Sequence, residues 1–223
     1  MKTVLITGVS RGAGQALAKQ FLDEGWQVIG TSTSGTVSLE HASLTVHKLD
    51  LAQQAQVASF VEELKAAKVK LDVLINNAGV NLSSEAEYPT KTLSVDTLEQ
   101  TLAVNLVGLA ALTEACLPLM QSDGQIIALS SGAGAFHPFI AANTPSYQIS
   151  KAAVNMYMRT LAERLKDEDI KAWLFDPGWM KTDMGGPYGQ KMPEQAAAEL
   201  YGLVAQDKPT NGTFWTADGE RDF

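Results

Sequence analysis

Val4-Leu5-Ile6-Thr7-Gly8-Val9-Ser10-Arg11-Gly12-Ala13-Gly14, running on into Gln15 to Glu24, decides the fold. Val4 to Thr7 reads as a strand that stops at Gly8. Ala13 to Glu24 reads as a helix, with Ala16, Leu17 and Phe21 on one side and Gly25 as its stop signal. The same alternation continues outward. Strands are expected over Gln27–Thr31, Leu44–Leu49, Leu71–Asn76, Gln125–Ser130, Ile170–Phe175 and Gly212–Thr216. Helices are expected over Gln53–Ala67, Val95–Met120, Pro145–Lys166 and Pro193–Ala205, the last with proline in its first turn.

Short apolar strands alternating with helices imply a parallel sheet covered on both faces. The expected fold is therefore α/β, a Rossmann-type doubly wound sheet of seven parallel strands. One domain is expected over residues 1–223, with a half of about 1–130 and a second of about 131–223. Such sheets take ligands at the carboxyl ends of their strands, so the loops after the strands are where chemistry belongs.

The 223 residues include 45% apolar and 19% charged side chains, the balance of a globule rather than a disordered chain. The formal charge of −8 argues against nucleic acid or an anionic membrane as the main partner, because both need a basic face. Cys116 is the single cysteine, which excludes an internal disulfide and a cysteine zinc site. The apolar run at the start is too short for a secretory signal, and no run approaches 18 apolar residues, so the cytoplasm is the expected location.

In the turn Gly8-x3-Gly12-x-Gly14, glycines let the backbone approach a pyrophosphate, and the helix start around Ala13 faces its charge. Taken alone, three glycines also fit a plain strand-to-helix turn. A site for NAD usually carries an acid at the end of the second strand, to hold the ribose 2′-hydroxyl. Here that place holds Thr31-Ser32-Thr33-Ser34, with no carboxylate to repel a 2′-phosphate. Arg11, inside the turn, can pair with such a phosphate, or can be a solvated surface arginine. NADP(H) is the preferred cofactor on this reading, with NAD(H) also admitted.

Tyr147 and Lys151 open a helix at a spacing of four, which places them on one face. An ammonium near a phenol favours the phenolate and lowers its pKa, so Tyr147 can exchange a proton with a carbonyl oxygen. Ser130-Ser131 ends a strand just upstream, where a hydroxyl can hold the same oxygen or simply shape a turn. Asn105 sits in an apolar helical run, where a buried amide needs partners.

With these residues in place the chain resembles the short-chain dehydrogenase/reductase family, and within it the C-factor-like and sniffer-type carbonyl reductases. The resemblance rests on Thr7-Gly8-x3-Gly12-x-Gly14, Asn76-Asn77-Ala78-Gly79, Asn105, Ser131, Tyr147-x3-Lys151 and Asp176-Pro177-Gly178-Trp179-Met180-Lys181-Thr182, in the family's order. It implies Tyr147 as acid/base, with Lys151 lowering its pKa and holding the nicotinamide ribose. It implies Ser131 as the group that orients the carbonyl, and Asn105 as the anchor of a proton-relay water. Asp50-Leu51, after the third strand, would contact the cofactor with Asp50 near the adenine, while Asn77, Ala78 and Gly79 would line the cofactor and brace the sheet. Ser10 and Arg11 would face the adenosine phosphate. Pro177, Gly178, Met180 and Thr182 would contact the cofactor, with Thr182 bonding the nicotinamide carboxamide. Ser131 and Tyr147 stand 16 positions apart, more than the family's usual spacing. This implies an enlarged loop after Phe136 and keeps Ser130 and Ser146 open as alternatives to Ser131.

Phe136, His137, Trp179, Met184 and Tyr188 fall in the loops expected around a substrate, and their aromatic character suits an apolar or aromatic carbonyl compound. Loop packing or a subunit contact accounts for them equally well. His41 and His47 lie elsewhere, without acids at ligand spacing, and no metal is expected. The resemblance implies a homo-oligomer, a dimer or tetramer, paired through the helices Val95–Met120 and Pro145–Lys166. Two functions fit: a carbonyl/alcohol oxidoreductase, or a cofactor-binding regulatory or signalling protein on the same fold.

Overall fold

The computed structural model describes residues 1–82, 93–136 and 144–223. Strands β1 (Thr3–Thr7), β2 (Gln27–Ser32), β3 (Leu44–Lys48), β4 (Leu71–Asn76), β5 (Met120–Leu129), β6 (Ile170–Phe175), β7 (Phe214–Thr216) and β8 (Gly219–Arg221) form one sheet of order β3-β2-β1-β4-β5-β6-β7-β8. Every pairing is parallel except β7 with β8. The doubly wound sheet is thus present with eight strands among the described residues, not seven. The extra strand is a polar three-residue hairpin arm, Gly219-Glu220-Arg221, which hydrophobic patterning does not detect.

The alternation of side chains sorts each strand between two cores. Leu5, Leu74, Ile126 and Ala128 face one side, where Phe60 of α2 (Gln54–Ala66) and Met158 and Leu161 further along the chain pack. Val4, Ile6, Val73, Ile75, Ile127 and Leu129 face the other, against Phe21 of α1 (Gly12–Asp23) and Leu200 of the helix Pro193–Ala205. Both faces are covered, which is why these strands read as apolar runs.

The expected continuous helix Val95–Met120 is broken. It consists of α3 (Val95–Leu102), a π-helical stretch Ala103–Gly108, α4 (Leu109–Cys116) and a 3₁₀ turn Leu117–Leu119. By length and composition Val95–Leu119 could cross a membrane. Here it packs on the sheet, with Leu109, Leu112 and Cys116 in the core. Pro118 tightens its last turn, and Met120 then pairs directly with Leu71, so β5 begins earlier than expected. Exposed Gln121, Ser122 and Asp123, followed by a register shift, hide that beginning from a hydrophobic pattern. The remaining helices are α5 (Pro145–Arg164) and α6 (Pro193–Ala205).

Gly108 allows the broken helix to approach the loop after β3: a Cβ there would collide with the Leu51 carbonyl. Gly202 in α6 has open space around the same position. Gly108→Ala is expected to cost about 1–3 kcal/mol through overpacking, whereas Gly202→Ala is expected to gain up to about 1 kcal/mol from helix propensity. Urea unfolding of the two variants checks both signs.

Candidate active site

The sheet reverses its strand order between β1 and β4, and the ends of these two strands are tied together there. Thr7 Oγ1 accepts hydrogen bonds from Asn77 N and Ala78 N, each at 3.0 Å. Asn77 Nδ2 donates to Thr7 O at 2.7 Å and to Gly8 O at 3.2 Å. Above this seam lies the glycine turn. Gly8 and Gly12 have φ of +74° and +57°, a region that side chains avoid. A Cβ on Gly14 would collide with the Gly8 carbonyl and with Asn77 Nδ2. Helix α1 follows with no side-chain cap from Arg11 and no acid in its first turn, which leaves its leading N–H groups for an anion.

Around this cradle the expected cofactor residues assemble unequally. Ser32 is buried, and its hydroxyl donates to Thr36 O at 3.0 Å, closing the loop after β2. Asp50 Oδ1 accepts from Ala52 N at 3.0 Å, within the turn after β3. The Leu51 side chain lies in the core, so only its backbone can face a ligand. Thr182 approaches Gly12, with its methyl 3.3 Å from where a Gly12 Cβ would stand. Its hydroxyl accepts from Gly185 N at 3.1 Å. Met180 pairs with Lys191 in an isolated bridge that folds the segment after β6 back on itself. Arg11 is 78% exposed and ion-paired with Asp183 at 3.0 Å.

The catalytic candidates converge at the start of α5. Ser131 caps the 3₁₀ turn Gly132–Gly134, its hydroxyl accepting from Ala133 N at 3.1 Å, and it also hydrogen-bonds the Tyr147 phenol. Lys151 is buried; its Nζ donates to Leu129 O at 2.8 Å and lies 5.6 Å from the Tyr147 ring centre. Asn105, on the π-helical stretch, accepts from Val80 N at 2.8 Å and donates to Val80 O at 2.8 Å and to Ser150 Oγ at 2.9 Å. A Cβ on Gly79 would stand 3.2 Å from Asn105 Oδ1 and 3.8 Å from Lys151 Nζ, so glycine keeps these groups close.

Of the three serines considered, Ser131 hydrogen-bonds the Tyr147 phenol. Ser130 is buried and donates to Asn155 Oδ1, while Asn155 Nδ2 donates to Gly134 O at 3.3 Å. Ser146 is also buried. The electrostatics differ from the expectation. Burial pushes the Tyr147 phenol up to about 12, against the lowering effect of its bond to Ser131, and the Asp176 carboxylate adds to the rise. Burial also pulls the Lys151 ammonium down to about 8, partly offset by Asp176. Desolvation is the largest cause of both shifts and disfavours both charged forms.

Phe136, Trp179, Met184 and Tyr188 are all exposed on the loops after β5 and β6, and Trp179 Nε1 donates to Gly185 O at 2.7 Å. His137 lies outside the described residues. Asn155, Asp176 and Arg221 also reach this region. Arg221 stands beyond every periodic segment of the sequence, and no motif marks its role.

Residues 2–193 match the family model described as short chain dehydrogenase. The chain is a short-chain dehydrogenase/reductase. It is 29% identical to the 1-hydroxy-2-glutathionyl-2-methyl-3-butene dehydrogenase of Rhodococcus sp. (strain AD45), over 98% of both chains. In structure it is similar to a short-chain dehydrogenase/reductase from Burkholderia multivorans with bound NADP, at 27% identity and a TM-score of 0.87, covering 98% of this chain and 97% of that one. It is also similar to the carbonyl reductase Sniffer of Drosophila melanogaster, at 25% identity and a TM-score of 0.85, over 98% of each chain. This short-chain dehydrogenase/reductase thus shares its whole architecture with oxidoreductases.

Its two strand-end serines are expected to separate by stability. Ser130→Ala leaves the buried Asn155 amide without its donor and is expected to cost about 1–3 kcal/mol. Ser131→Ala loses the cap of a short turn and the bond to the Tyr147 phenol at a partly exposed position and is expected to cost less, about 0.5–1.5 kcal/mol. Denaturant midpoints of the two variants, measured together, check the order.

Proposed function

We propose that this chain is an NADP(H)-dependent oxidoreductase that interconverts a carbonyl compound and an alcohol. The observation that carries the reading is the Tyr147 phenol, hydrogen-bonded to Ser131, with Lys151 one helical turn away on the same side of α5. A carbonyl oxygen placed between the Ser131 and Tyr147 hydroxyls would accept from both. Tyr147 would deliver a proton to that oxygen on reduction and remove it in the reverse direction. Lys151 would supply positive charge beside the phenol, and Asn105 would hold the Val80 backbone and α5 in register around it.

The residues present fit a dinucleotide. The uncapped start of α1 and the glycine cradle that a Cβ would fill suit a pyrophosphate. Gly8, Ser10, Arg11, Gly12, Ala13 and Gly14 would hold that end, with Ser32, Asp50 and the Leu51 backbone around the adenosine. Asn77, Ala78 and Gly79 would border the middle, and Pro177, Gly178, Met180 and Thr182 would border the nicotinamide beside Tyr147 and Lys151. The nicotinamide supplies or receives the hydride when bound. The lack of an acid at the end of β2 and the exposed guanidinium of Arg11 favour a 2′-phosphate, which would replace Asp183 as the partner of Arg11. The NADP-bound Burkholderia multivorans neighbour supports the same choice.

The substrate side would be built from Phe136, Trp179, Met184 and Tyr188, which favours an apolar or aromatic carbonyl. Val107, Ile149 and Met156 expose apolar side chains along the π-helical stretch and α5, which supports pairing into a homo-oligomer through those elements.

Tyr147→Phe is expected to lower the rate of carbonyl reduction by about 10²–10⁴-fold while NADPH still binds. Loss of NADPH absorbance with a panel of aldehydes, diketones and quinones, beside a fluorescence titration of NADPH, reads both. Wild-type turnover in the variant refutes the acid/base. Tight NADPH binding by the wild type without turnover of any carbonyl transfers the weight to a regulatory role. Arg11→Ala is expected to weaken NADPH by about 10–100-fold, the loss of one charge-assisted contact, and to leave NADH nearly unchanged. Equal losses for the two nucleotides overturn the preference.

A further inference from the structure

Asp176, the residue before Pro177-Gly178, is bonded on three sides. Its Oδ2 accepts from Gly132 N at 2.8 Å and from Arg221 Nη1 at 3.0 Å, and its Oδ1 accepts from Gly178 N at 2.9 Å. Its side chain is 12% exposed and that of Arg221 30%. Gly132 directly follows Ser131, so the carboxylate fixes the backbone that presents the Ser131 hydroxyl. The contact is close: a Cβ on Gly132 would stand 3.0 Å from Arg221 Nη1 and 3.3 Å from Asp176 Oδ2.

Arg221 arrives on β8, the antiparallel arm that closes the sheet edge. Its guanidinium lies 5.3 Å from the Phe214 ring of β7. The adjoining tail is fastened in turn, with the Phe223 ring 5.7 Å from Phe214 and 4.7 Å from the Arg159 guanidinium of α5. The charged groups around Asp176 come from each neighbouring element. Tyr147 and Lys151 of α5 both feel its field. Lys191 lies near Gly178 but is already paired with Glu199 at 2.6 Å. Among the described residues, Arg221 is the cation paired with this carboxylate.

We propose that Asp176 and Arg221 are a positioning pair for the reaction: the carboxylate holds the Ser131 turn in place, and the guanidinium from the C-terminal hairpin offsets part of its charge toward Tyr147 and Lys151. The proposal rests on the reading of Tyr147 as acid/base. The pair is neutral as a unit. Removing one member leaves a net charge beside the Tyr147–Lys151 face, and removing both restores neutrality. Asp176→Asn keeps an acceptor for Gly132 N and leaves Arg221 unbalanced, which disfavours the Lys151 ammonium and favours the phenolate. Arg221→Gln leaves the carboxylate unbalanced, which does the opposite.

The test follows the titration of Lys151 by NMR of protein labelled at the lysine side chains, with Lys151→Arg to identify the signal. Asp176→Asn is expected to move the midpoint down by about one pH unit and Arg221→Gln to move it up by about as much. Asp176→Asn/Arg221→Gln is expected to return it to the wild-type position, and Arg221→Lys to leave it there. The alkaline limb of kcat for carbonyl reduction is expected to shift in the same directions, because the phenol must stay protonated to donate. KM is expected to change less than kcat. Shifts of equal sign in the two single variants, or none, overturn the pair. If the wild type reduces no carbonyl compound, the reductase reading falls, and the Lys151 midpoints still decide whether Asp176 and Arg221 act as a balanced pair.

Discussion

The Asn105 side chain bridges the two halves of the candidate site. Its amide oxygen and one N–H clasp both backbone groups of Val80, in the loop that leaves β4, and its other N–H reaches Ser150 on α5. Ser150 donates in turn to Tyr147 O at 2.7 Å. The loop expected to border the cofactor and the helix that carries Tyr147 and Lys151 are therefore set by one buried amide. Such an amide is tolerated in an apolar helix because its partners are supplied, and it would be costly if any were lost. The π-helical stretch around it and the close approach of Gly108 to Leu51 belong to the same arrangement: the helix departs from regular geometry where its side chain must reach across.

The glycines work at a second level, by letting backbone and side chains come closer than a Cβ permits. Gly14 does so against Gly8 and Asn77, Gly79 between Asn105 and Lys151, and Gly134 against the backbone of α5 at Lys151. These contacts bring the glycine turn, the loop after β4 and the loop after β5 onto one another. The exposed ion pairs elsewhere on the surface contribute little beside these close backbone approaches.

The fold was legible because buried parallel strands leave apolar runs and helices leave a different period, so Val4–Thr7, Leu71–Asn76 and Ile170–Phe175 read correctly from residues alone. The candidate site was legible where several motifs fall at strand ends. What escaped depends on contacts between distant positions. No local pattern marks the polar arm Gly219–Arg221, whose meaning lies in reaching Asp176. The separation of Ser130 from Ser131 depends on Asn155, which is 25 residues away from Ser130. The π-helical stretch Ala103–Gly108, where Asn105 meets Val80 and Gly108 meets Leu51 across the fold, leaves no mark in the helical periodicity of the sequence.

The protonation of the site carries a consequence for direction within the proposed reaction. Spacing alone leads to a phenol lowered by its neighbouring ammonium, yet burial holds Tyr147 at about 12 and Lys151 at about 8. At neutral pH, Tyr147 is a phenol, and burial lowers the Lys151 pKa while Asp176 opposes that fall. A protonated donor beside a charged lysine is the arrangement that reduction of a carbonyl requires, whereas oxidation of an alcohol requires the phenolate. Desolvation thus keeps Tyr147 in the protonated form from which it would donate in the proposed reduction. The same burial that makes Tyr147 a reluctant acid in water makes its proton transfer depend on a substrate oxygen that arrives within hydrogen-bonding reach and gains negative charge as hydride is added.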